Sequence, residues 1–194
     1  DNPFPTVCGY VCEHPCEAHC RRSMVDDAVN ICGIKHYAVT HALHVAPVAN
    51  QPSTGKRVAI IGGGPCGLSC AFYLQLMGHQ TVVYEQRPKL GGMLRYGIPS
   101  YRLPRERLQA EIDWILSAGV DVELDHSVSG EELARLRDEF DAVSRSRPDL
   151  QHIARYDLCR AVVGQQRPLE DEVVGCVARY ALGGCEFAHI ATVS

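Results

Sequence analysis

The sequence predicts an α/β protein in which a Rossmann-like domain follows a small α-helical segment. Two short apolar runs at residues 57–61 and 81–85 flank a glycine-rich turn and an apolar stretch at helical spacing, which is the order of a β-α-β unit. Four cysteines recur at every fourth residue near the start of the chain. A stretch rich in proline, glycine and hydroxyl residues separates these two parts.

The cysteine segment contains Cys8, Cys12, Cys16 and Cys20. On one straight helix this spacing would place all four thiols along a single face, where they could not surround a metal centre. Gly9 and Pro15 make such a helix unfavourable, so we expect the backbone to wrap. Thiolates are soft donors that suit iron, and the interpretation we favour is a [4Fe-4S] cluster. Zinc, and inert or disulfide-bonded cysteines, remain alternatives.

Between the cysteines and the second part we expect a helix over residues 26–43 and a linker over 47–56. A buried strand over 57–61 should lead through the glycine turn into a helix over 66–77, which ends at Gly78. The run at 81–85 then completes the unit, and a right-handed crossover places its two strands side by side and parallel.

The remaining elements are less regular. Residues 86–104 contain three prolines and three glycines, which predicts an ordered loop without a regular element. A helix over 105–118 follows, with Pro104 before its start and Gly119 after its end. We expect a strand at 120–124, a short polar helix at 131–138 and a strand that begins at Phe140. The pattern fails beyond Val143, where only a helix near 170–182 is indicated.

The glycine loop predicts a dinucleotide site. Gly62 permits a tight turn, Gly64 lets the backbone approach a pyrophosphate, and Gly67 allows the helix to pack closely on the strand. Glu85 stands where an acid accepts hydrogen bonds from the adenosine ribose, which disfavours a 2′-phosphate. The residues therefore indicate FAD or NAD, and a glycine turn that binds nothing is the alternative.

The segment Gly91-Gly-Met-Leu-Arg-Tyr-Gly-Ile-Pro-Ser-Tyr-Arg-Leu-Pro104, taken with Asn2-Pro-Phe-Pro and the cysteine motif, resembles one family. It is the family of the glutamate synthase small subunit and the N-terminal part of dihydropyrimidine dehydrogenase, flavoproteins with an iron–sulfur domain. The resemblance implies that the glycine loop holds FAD. It places Gly62, Gly64, Pro65, Cys66, Gly67, Leu68 and Ser69 along the pyrophosphate, Glu85 at the ribose, Gly92, Met93 and Arg102 along the flavin, and Val128 near the adenine.

The same resemblance gives the domain organisation that we expect. Residues 1–46 form a helical iron–sulfur domain that is incomplete at its N-terminus, residues 57–143 form the FAD-binding domain, and residues 144–194 are unassigned. The family's upstream cysteine set is absent, so the number of clusters is open. Lys35 stands where one branch of the family has a non-cysteine ligand. No second glycine fingerprint follows Val143, so the family's NAD(P)H site is not visible.

The composition of the chain excludes some classes of binding partner. The formal charge of −4 is spread along the chain without a basic run, which argues against nucleic acid, and no apolar stretch is long enough to span a membrane. We expect a cytoplasmic protein. In such a reducing compartment, clustered thiols usually bind metal. The absence of an initiator methionine indicates a fragment. The other cysteines have apolar neighbours and are expected to be small buried thiols. They are Cys32, Cys66, Cys70, Cys159, Cys176 and Cys185.

Together these features predict an oxidoreductase module that relays electrons between NAD(P)H, a flavin and iron–sulfur clusters of a partner subunit. No catalytic residue is predicted, because this chemistry belongs to the cofactors. Two alternatives remain. One is a truncated electron-transfer module without NAD(P)H turnover, and the other is a zinc-capped dinucleotide-binding domain.

Overall fold

The computed structural model describes residues 2–41 and 50–145 and contains a four-stranded parallel sheet. Its strand order is β3-β2-β1-β4, with every neighbouring pair parallel. The elements in chain order are α1 (Pro5–Val11), α2 (Pro15–Ala18), a 3₁₀ turn (Arg21–Met24), α3 (Ile31–His41), β1 (Arg57–Ile61), α4 (Pro65–Leu76), β2 (Gln80–Tyr84), α5 (Gly92–Tyr96), α6 (Arg105–Leu116), β3 (Asp121–Glu123), α7 (Gly130–Glu139) and β4 (Ala142–Arg145).

The predicted β-α-β unit is present and confirms the α/β class. Strands β1 and β2 pair in parallel, with Val58 opposite Thr81 and Ile60 opposite Val83. Strands β2 and β3 follow in order on one side of β1, whereas β4 lies on its other side. The strand order therefore reverses between β1 and β4. Open α/β sheets bind ligands at such a switch point, beyond the carboxyl ends of the strands. The glycine loop directly follows β1 at this point.

The sheet has an apolar layer on each face, because side chains alternate along each strand. Val58 and Ile60 pack into the larger core with α4 and α6, where the Phe72 and Trp114 rings pack at a tilt with centroids 4.9 Å apart. Ala59 faces the opposite side and packs with Leu136 and Phe140. Helix α7 therefore covers one face of the sheet, and α4 and α6 cover the other.

Three predicted elements differ from the structure in the second part of the chain. The loop over residues 86–104 contains the short helix α5, which begins after Gly91 adopts a φ of +113°. The strand predicted at 120–124 shortens to the three residues of β3, and the last strand begins at Ala142 and extends to Arg145. The predicted helix near 170–182 lies outside the described residues.

The cysteine segment forms short helices that do not join into one. Pro15 begins α2, and His14 before it adopts a φ of +41°, so the backbone turns between Cys12 and Cys16 as expected. Gly9 does not interrupt the helix at its position, because it lies within α1. The helix predicted from residue 26 begins at Ile31, where the Asn30 side chain accepts a 2.8 Å hydrogen bond from the Gly33 N–H.

None of the helices in the described part of the chain is long and apolar enough to cross a membrane.

Candidate functional site

The glycine loop has the shape that a dinucleotide site needs. Gly62 has a φ of +108°, and a Cβ on Gly67 would lie 1.9 Å from the Gly62 carbonyl oxygen. Glycine is therefore required at Gly67 for α4 to pack on the loop. A Cβ on Gly64 would meet only the Gly92 Cα, at 3.8 Å, so its outer side is open to a close approach.

The end of α4 that faces the loop can receive an anion. Gly64 is the N-cap residue, and no side chain among the described residues caps this end. The first N–H groups of a helix have no partners within the helix and carry its partial positive charge. A pyrophosphate would satisfy both features, so these residues fit FAD or another dinucleotide.

A second pair of glycines, Gly91 and Gly92, packs against the glycine loop. The Gly91 N–H donates a 2.8 Å hydrogen bond to the Gly63 carbonyl oxygen, and Gly92 has a φ of +48°. A Cβ on Gly92 would lie 2.8 Å from the Gly64 Cα. The motif that follows β2 is thus placed directly against the predicted phosphate loop, as the sequence motif suggests.

Glu85 is buried at the end of β2 and holds the loop. Its carboxylate accepts hydrogen bonds from the Gly63 N–H at 2.7 Å and from the Arg87 N–H at 2.9 Å. A carboxylate has about four acceptor positions, so two bonds leave capacity for the hydroxyls of a ribose. Glu85 can therefore shape the loop and contact a nucleotide at once.

The other residues that the sequence predicts to contact FAD differ in burial and in the face of the sheet on which they lie. Leu68 and Ser69 face the core with almost no exposed surface, so only their backbone could reach a ligand. Pro65 and Cys66 lie at the first turn of α4. Met93 is 71% exposed beside the loop, while Val128 packs with the core cluster on the opposite face of the sheet. The structure brings Gly62, Gly64, Glu85 and Gly92 together.

The four motif cysteines are free thiols at different places along the segment. The Cys8 Sγ lies 3.5 Å from the Asn2 amide nitrogen, and the Cys12 Sγ accepts a 3.3 Å hydrogen bond from the His14 N–H. Within the described residues, no three histidine, cysteine, aspartate or glutamate side chains stand close enough to hold a metal ion. The donor chemistry suits iron, but the thiols as placed do not converge.

The thiols also differ in their electrostatic surroundings. Burial raises the pKa of Cys8 above its usual value, and it likewise raises the pKa of Cys32. Hydrogen bonds from the backbone at Val29 and Arg22 lower the pKa of Cys20. These backbone groups therefore stabilise the anionic form of the Cys20 thiol.

Glu111 joins the cysteine segment to the dinucleotide domain. This side chain on α6 is 6% exposed, and its carboxylate accepts hydrogen bonds from the N–H groups of Thr6 and Val7 in the first turn of α1. Burial raises the pKa of Glu111 to about 7, although the Thr6 and Val7 bonds act in the opposite direction. Phe4 and Val7 enter the same core.

A weaker link lies at the surface. The Arg102 guanidinium stands 3.7 Å from the Glu13 carboxylate, which lies between Cys12 and Cys16. Both side chains are more than half exposed. Arg102, which the family resemblance places along a flavin, thus also faces the cysteine motif.

Two residues of this region were not predicted from the sequence. Glu111 lies on the helical stripe of Leu108, Ile112 and Ile115, and an acid on an apolar stripe was the available signal. Cys32 was expected to be a buried thiol. It is only half-buried, as are Cys66 and Cys70, and its Sγ lies 3.8 Å from the Gly9 carbonyl oxygen. Cys159, Cys176 and Cys185 lie outside the described residues.

The chain is similar to known oxidoreductase subunits. The family model of an NAD(P)-binding Rossmann-like domain matches residues 60–121. The chain is 48% identical over 147 residues to the beta subunit of an NADPH-Fe(3+) oxidoreductase from Geobacter sulfurreducens, covering 73% of this chain and 22% of that protein.

Two further relatives match the same share of the chain. One is the PreT subunit of NAD-dependent dihydropyrimidine dehydrogenase from Salmonella typhimurium, 36% identical over 148 residues, with 74% of this chain and 36% of that protein covered. The other is the small chain of NADPH glutamate synthase from Bacillus subtilis, 34% identical over 149 residues, with 73% and 30% covered. The chain spans between 22% and 36% of the length of these relatives.

Proposed function

About three quarters of the chain belongs to the oxidoreductase family of the glutamate synthase small chain and the dihydropyrimidine dehydrogenase PreT subunit, and on this basis we propose that it is an electron-transfer module with two cofactors. The glycine loop binds FAD, and the cysteine segment binds a [4Fe-4S] cluster. In the whole protein NAD(P)H supplies the electrons, and a partner subunit receives them.

The observation that carries this proposal is the geometry of the loop around Gly64. Its backbone is open where a pyrophosphate would approach, and the uncapped start of α4 lies beside it. The acid Glu85 stands at the end of the next strand, where a ribose would lie. This combination supports an adenine dinucleotide without a 2′-phosphate, and family membership favours FAD over NAD.

The side chains around the loop have distinct roles in this proposal. Glu85 accepts hydrogen bonds from the ribose hydroxyls and keeps the Gly63 N–H in place. Met93 and Arg102 lie along the flavin, and Val128, in the connection between β3 and α7, lies near the adenine. A bound flavin would accept two electrons from a hydride and release them singly to one-electron carriers.

In the cysteine segment the protein supplies thiolates. Cys8, Cys12, Cys16 and Cys20 are the proposed donors, because a cluster needs several soft anionic ligands from different directions. The left-handed backbone at His14 separates α2 from α1, so the four cysteines do not lie along one straight helix. Convergence of the thiols accompanies cluster assembly, because ligation and local folding are coupled in metal segments.

Contacts between the two parts support a relay. Glu111 fixes the start of α1 to α6, and Arg102 approaches Glu13 within the cysteine motif. The cysteine segment therefore lies against the domain that would carry the flavin. A partner subunit would then take electrons from the exposed side of this segment.

The test is anaerobic purification of the whole chain, followed by an absorption spectrum, flavin extraction and assays of iron, sulfide and zinc. We expect FAD together with iron and sulfide. The Glu85→Gln variant should bind FAD about tenfold more weakly, since it loses a charged acceptor, while the matched variant Glu123→Gln at an exposed position in β3 should bind as the wild type does. Zinc without iron and sulfide would favour a zinc-capped dinucleotide domain.

A second candidate is the same module without NAD(P)H turnover. It is considered because the glycine loop after β1 is assigned here to FAD, and a pyridine nucleotide would need a loop of its own. Addition of NADH or NADPH to the FAD-bound chain distinguishes the two. Bleaching of the flavin absorbance supports the first proposal, and bound FAD that neither nucleotide bleaches supports the second.

A further inference from the structure

The connecting segment between β3 and α7, residues 124–129, lies beside the end of β2 that carries Glu85. The His126 N–H donates a 2.9 Å hydrogen bond to the Glu85 carbonyl oxygen, and the Asp125 N–H donates a 3.3 Å bond to the Arg87 carbonyl oxygen. Asp125 has a φ of +53°, a left-handed conformation that residues other than glycine adopt rarely. The connecting segment therefore turns at the carboxyl edge of the sheet, next to the acid proposed to bind the ribose.

Val128 leaves its backbone polar groups available at this edge. Its side chain packs against the smaller core cluster with Leu136 and Phe140. Within the described part of the chain, neither the Val128 N–H nor its carbonyl oxygen is bonded to another backbone group. An adenine ring presents a nitrogen acceptor beside an amino donor, so one N–H and one carbonyl of a single residue can bind it. This is where the proposed function places the adenine.

The His126 side chain attaches the connecting segment to α7. Its Nε2 lies 2.8 Å from the Glu132 carboxylate. The hydrogen bond from His126 lowers the pKa of Glu132, so this carboxylate is ionised at neutral pH and the ring N–H is the donor. The imidazole also contacts the Tyr84 ring edge to face, with ring centroids 5.1 Å apart. The segment is thus held to β2 by its backbone and to α7 by one side chain.

Burial distinguishes this pair from the other ion pairs of the described residues. The His126 and Glu132 side chains are 33% and 22% exposed. In each of the other four pairs at least one side chain is 50% or more exposed. The Ser129 hydroxyl accepts a 3.2 Å hydrogen bond from the Glu132 N–H and caps α7, which fixes the backbone that carries the carboxylate. Water therefore competes less for this pair than for an exposed one.

We propose that the His126–Glu132 pair positions the Val128 backbone for the adenosine half of the bound dinucleotide. The pair holds the connecting segment in place before binding, which reduces the conformational entropy that binding must remove. His126 and Glu132 act through Val128 and are positioning residues that touch no ligand atom. The inference rests on the proposed function, because it concerns the adenosine half of the proposed FAD site.

The experiment measures FAD and ADP separately on the whole chain after removal of any bound flavin. ADP carries the adenosine half alone, so its affinity reports on the connecting segment and not on contacts to the flavin ring. FAD binding is followed by flavin fluorescence and ADP binding by calorimetry, at a temperature where circular dichroism shows each variant fully folded. In His126→Ala and in Glu132→Ala both dissociation constants should rise about fivefold and by the same factor, because one hydrogen bond to the segment is lost.

Three further variants separate positioning from a general effect of charge on α7. Glu131→Ala removes an exposed carboxylate from the same first turn of α7 and should bind FAD and ADP as the wild type does. Glu132→Gln keeps an acceptor for the His126 ring N–H, so both dissociation constants should stay within about twofold of the wild-type values. The double variant with His126→Ala and Glu132→Ala should resemble each single variant, because both substitutions remove the same interaction.

The remaining outcomes distinguish this inference from the function on which it rests. If His126→Ala and Glu132→Ala weaken FAD but not ADP, or weaken neither, the inference is wrong and the proposed function stands. A lower free energy of unfolding with unchanged dissociation constants would make the pair a support of the fold alone. Wild-type protein that binds ADP but not FAD overturns the proposed function, and the ADP affinities of the variants still decide the role of the pair. Wild-type protein that binds neither overturns both.

Discussion

The dinucleotide domain and the cysteine segment maintain their shapes in different ways. In the domain, β1, α4 and α6 contribute fully buried side chains such as Ile60, Leu68 and Ile112. In the described part of the cysteine segment, α2 and α3 contain no buried residue, and α1 contributes only Val7 and Gly9. A buried core can preform a cofactor loop without its ligand, whereas a segment with little core needs other sources of order.

This difference predicts where each region is sensitive. The domain should fail when its close packing is disturbed, because the loop shape depends on backbone contacts. The cysteine segment should fail when its attachment to α6, or the metal that we propose it binds, is removed. The substitutions below test this contrast, in order of decreasing expected effect.

The largest effect is expected for Gly67→Ala. Its Cβ would lie 1.9 Å from the Gly62 carbonyl oxygen, a backbone atom that cannot move without opening the loop. We expect a loss of about 3 kcal/mol or more in the free energy of unfolding, together with loss of the FAD that we propose the loop binds. The measurements are denaturant unfolding and flavin content.

The matched control for this substitution is Gly130→Ala at the start of α7, where an added Cβ has no atom within 4 Å. Its free energy of unfolding should change by less than about 1 kcal/mol. Equal behaviour of the two variants would show that the contact between α4 and the loop does not hold the domain together.

A smaller effect is expected for Glu111→Ala, which tests the attachment of the cysteine segment. Without the carboxylate, the N–H groups of Thr6 and Val7 lose their acceptor at a buried site. Each unsatisfied group costs about 1 to 3 kcal/mol, so for two groups we expect a loss of at least about 2 kcal/mol, and earlier proteolysis of residues 2–41 than of the domain.

Glu106→Ala on the exposed side of the same helix is the control for Glu111, with an expected change below about 1 kcal/mol. Unfolding at pH 5 by two probes, limited proteolysis and a tryptophan signal from Trp114, separates the two regions. If both probes report the same loss, Glu111 stabilises the whole molecule and the contrast between the regions is weaker than proposed.

The sequence pattern predicted β1, α4, β2, α6 and the glycine loop because each depends on residues that are close in the chain. Apolar periodicity and the glycines carried that information. The helix α5 was missed because its start depends on Gly91 at a φ of +113°, within a stretch whose glycines and prolines predict a loop. The first residue of α3 depends on the cap by Asn30, which periodicity does not detect.

The contacts that join the two regions could not be predicted in the same way. Glu111 and its partner Val7 are separated by 104 positions in sequence, so only the folded chain brings the acid to the start of α1. The same holds for Cys32, whose neighbours Gly9 and Glu17 belong to other helices. Spacing identified the motif cysteines, but the contacts of α3 with Gly9 and Glu17 depend on how the helices pack.

Glu111 also predicts a pH dependence. Its folded pKa of about 7 exceeds the ordinary value of 4.5, so the folded protein binds the proton more tightly than the unfolded chain does. The stability that it contributes is present below pH 4.5 and is lost as the pH rises through 7. The wild type should lose up to about 2 kcal/mol more than Glu111→Gln between pH 5 and pH 8.

Unfolding at several pH values, with Glu106→Gln as the control, measures this difference. The control should follow the wild type, because its carboxylate is exposed on the same helix. A wild-type curve parallel to that of Glu111→Gln would mean that the two N–H bonds offset the burial of the carboxylate, and that the attachment of α1 does not depend on the proton.

The smallest effect is expected at the surface link between the two regions. Glu13→Gln removes a pair with Arg102 in which both side chains are more than half exposed, and such pairs contribute less than about 1 kcal/mol. The free energy of unfolding should therefore change by no more than about 0.5 kcal/mol, and less still in high salt. A loss as large as that of Glu111→Ala would place the attachment of the cysteine segment at this exposed pair. A negligible change would place the attachment at the buried Glu111 carboxylate. That carboxylate accepts two backbone hydrogen bonds away from solvent, whereas water competes for both partners of the exposed ion pair.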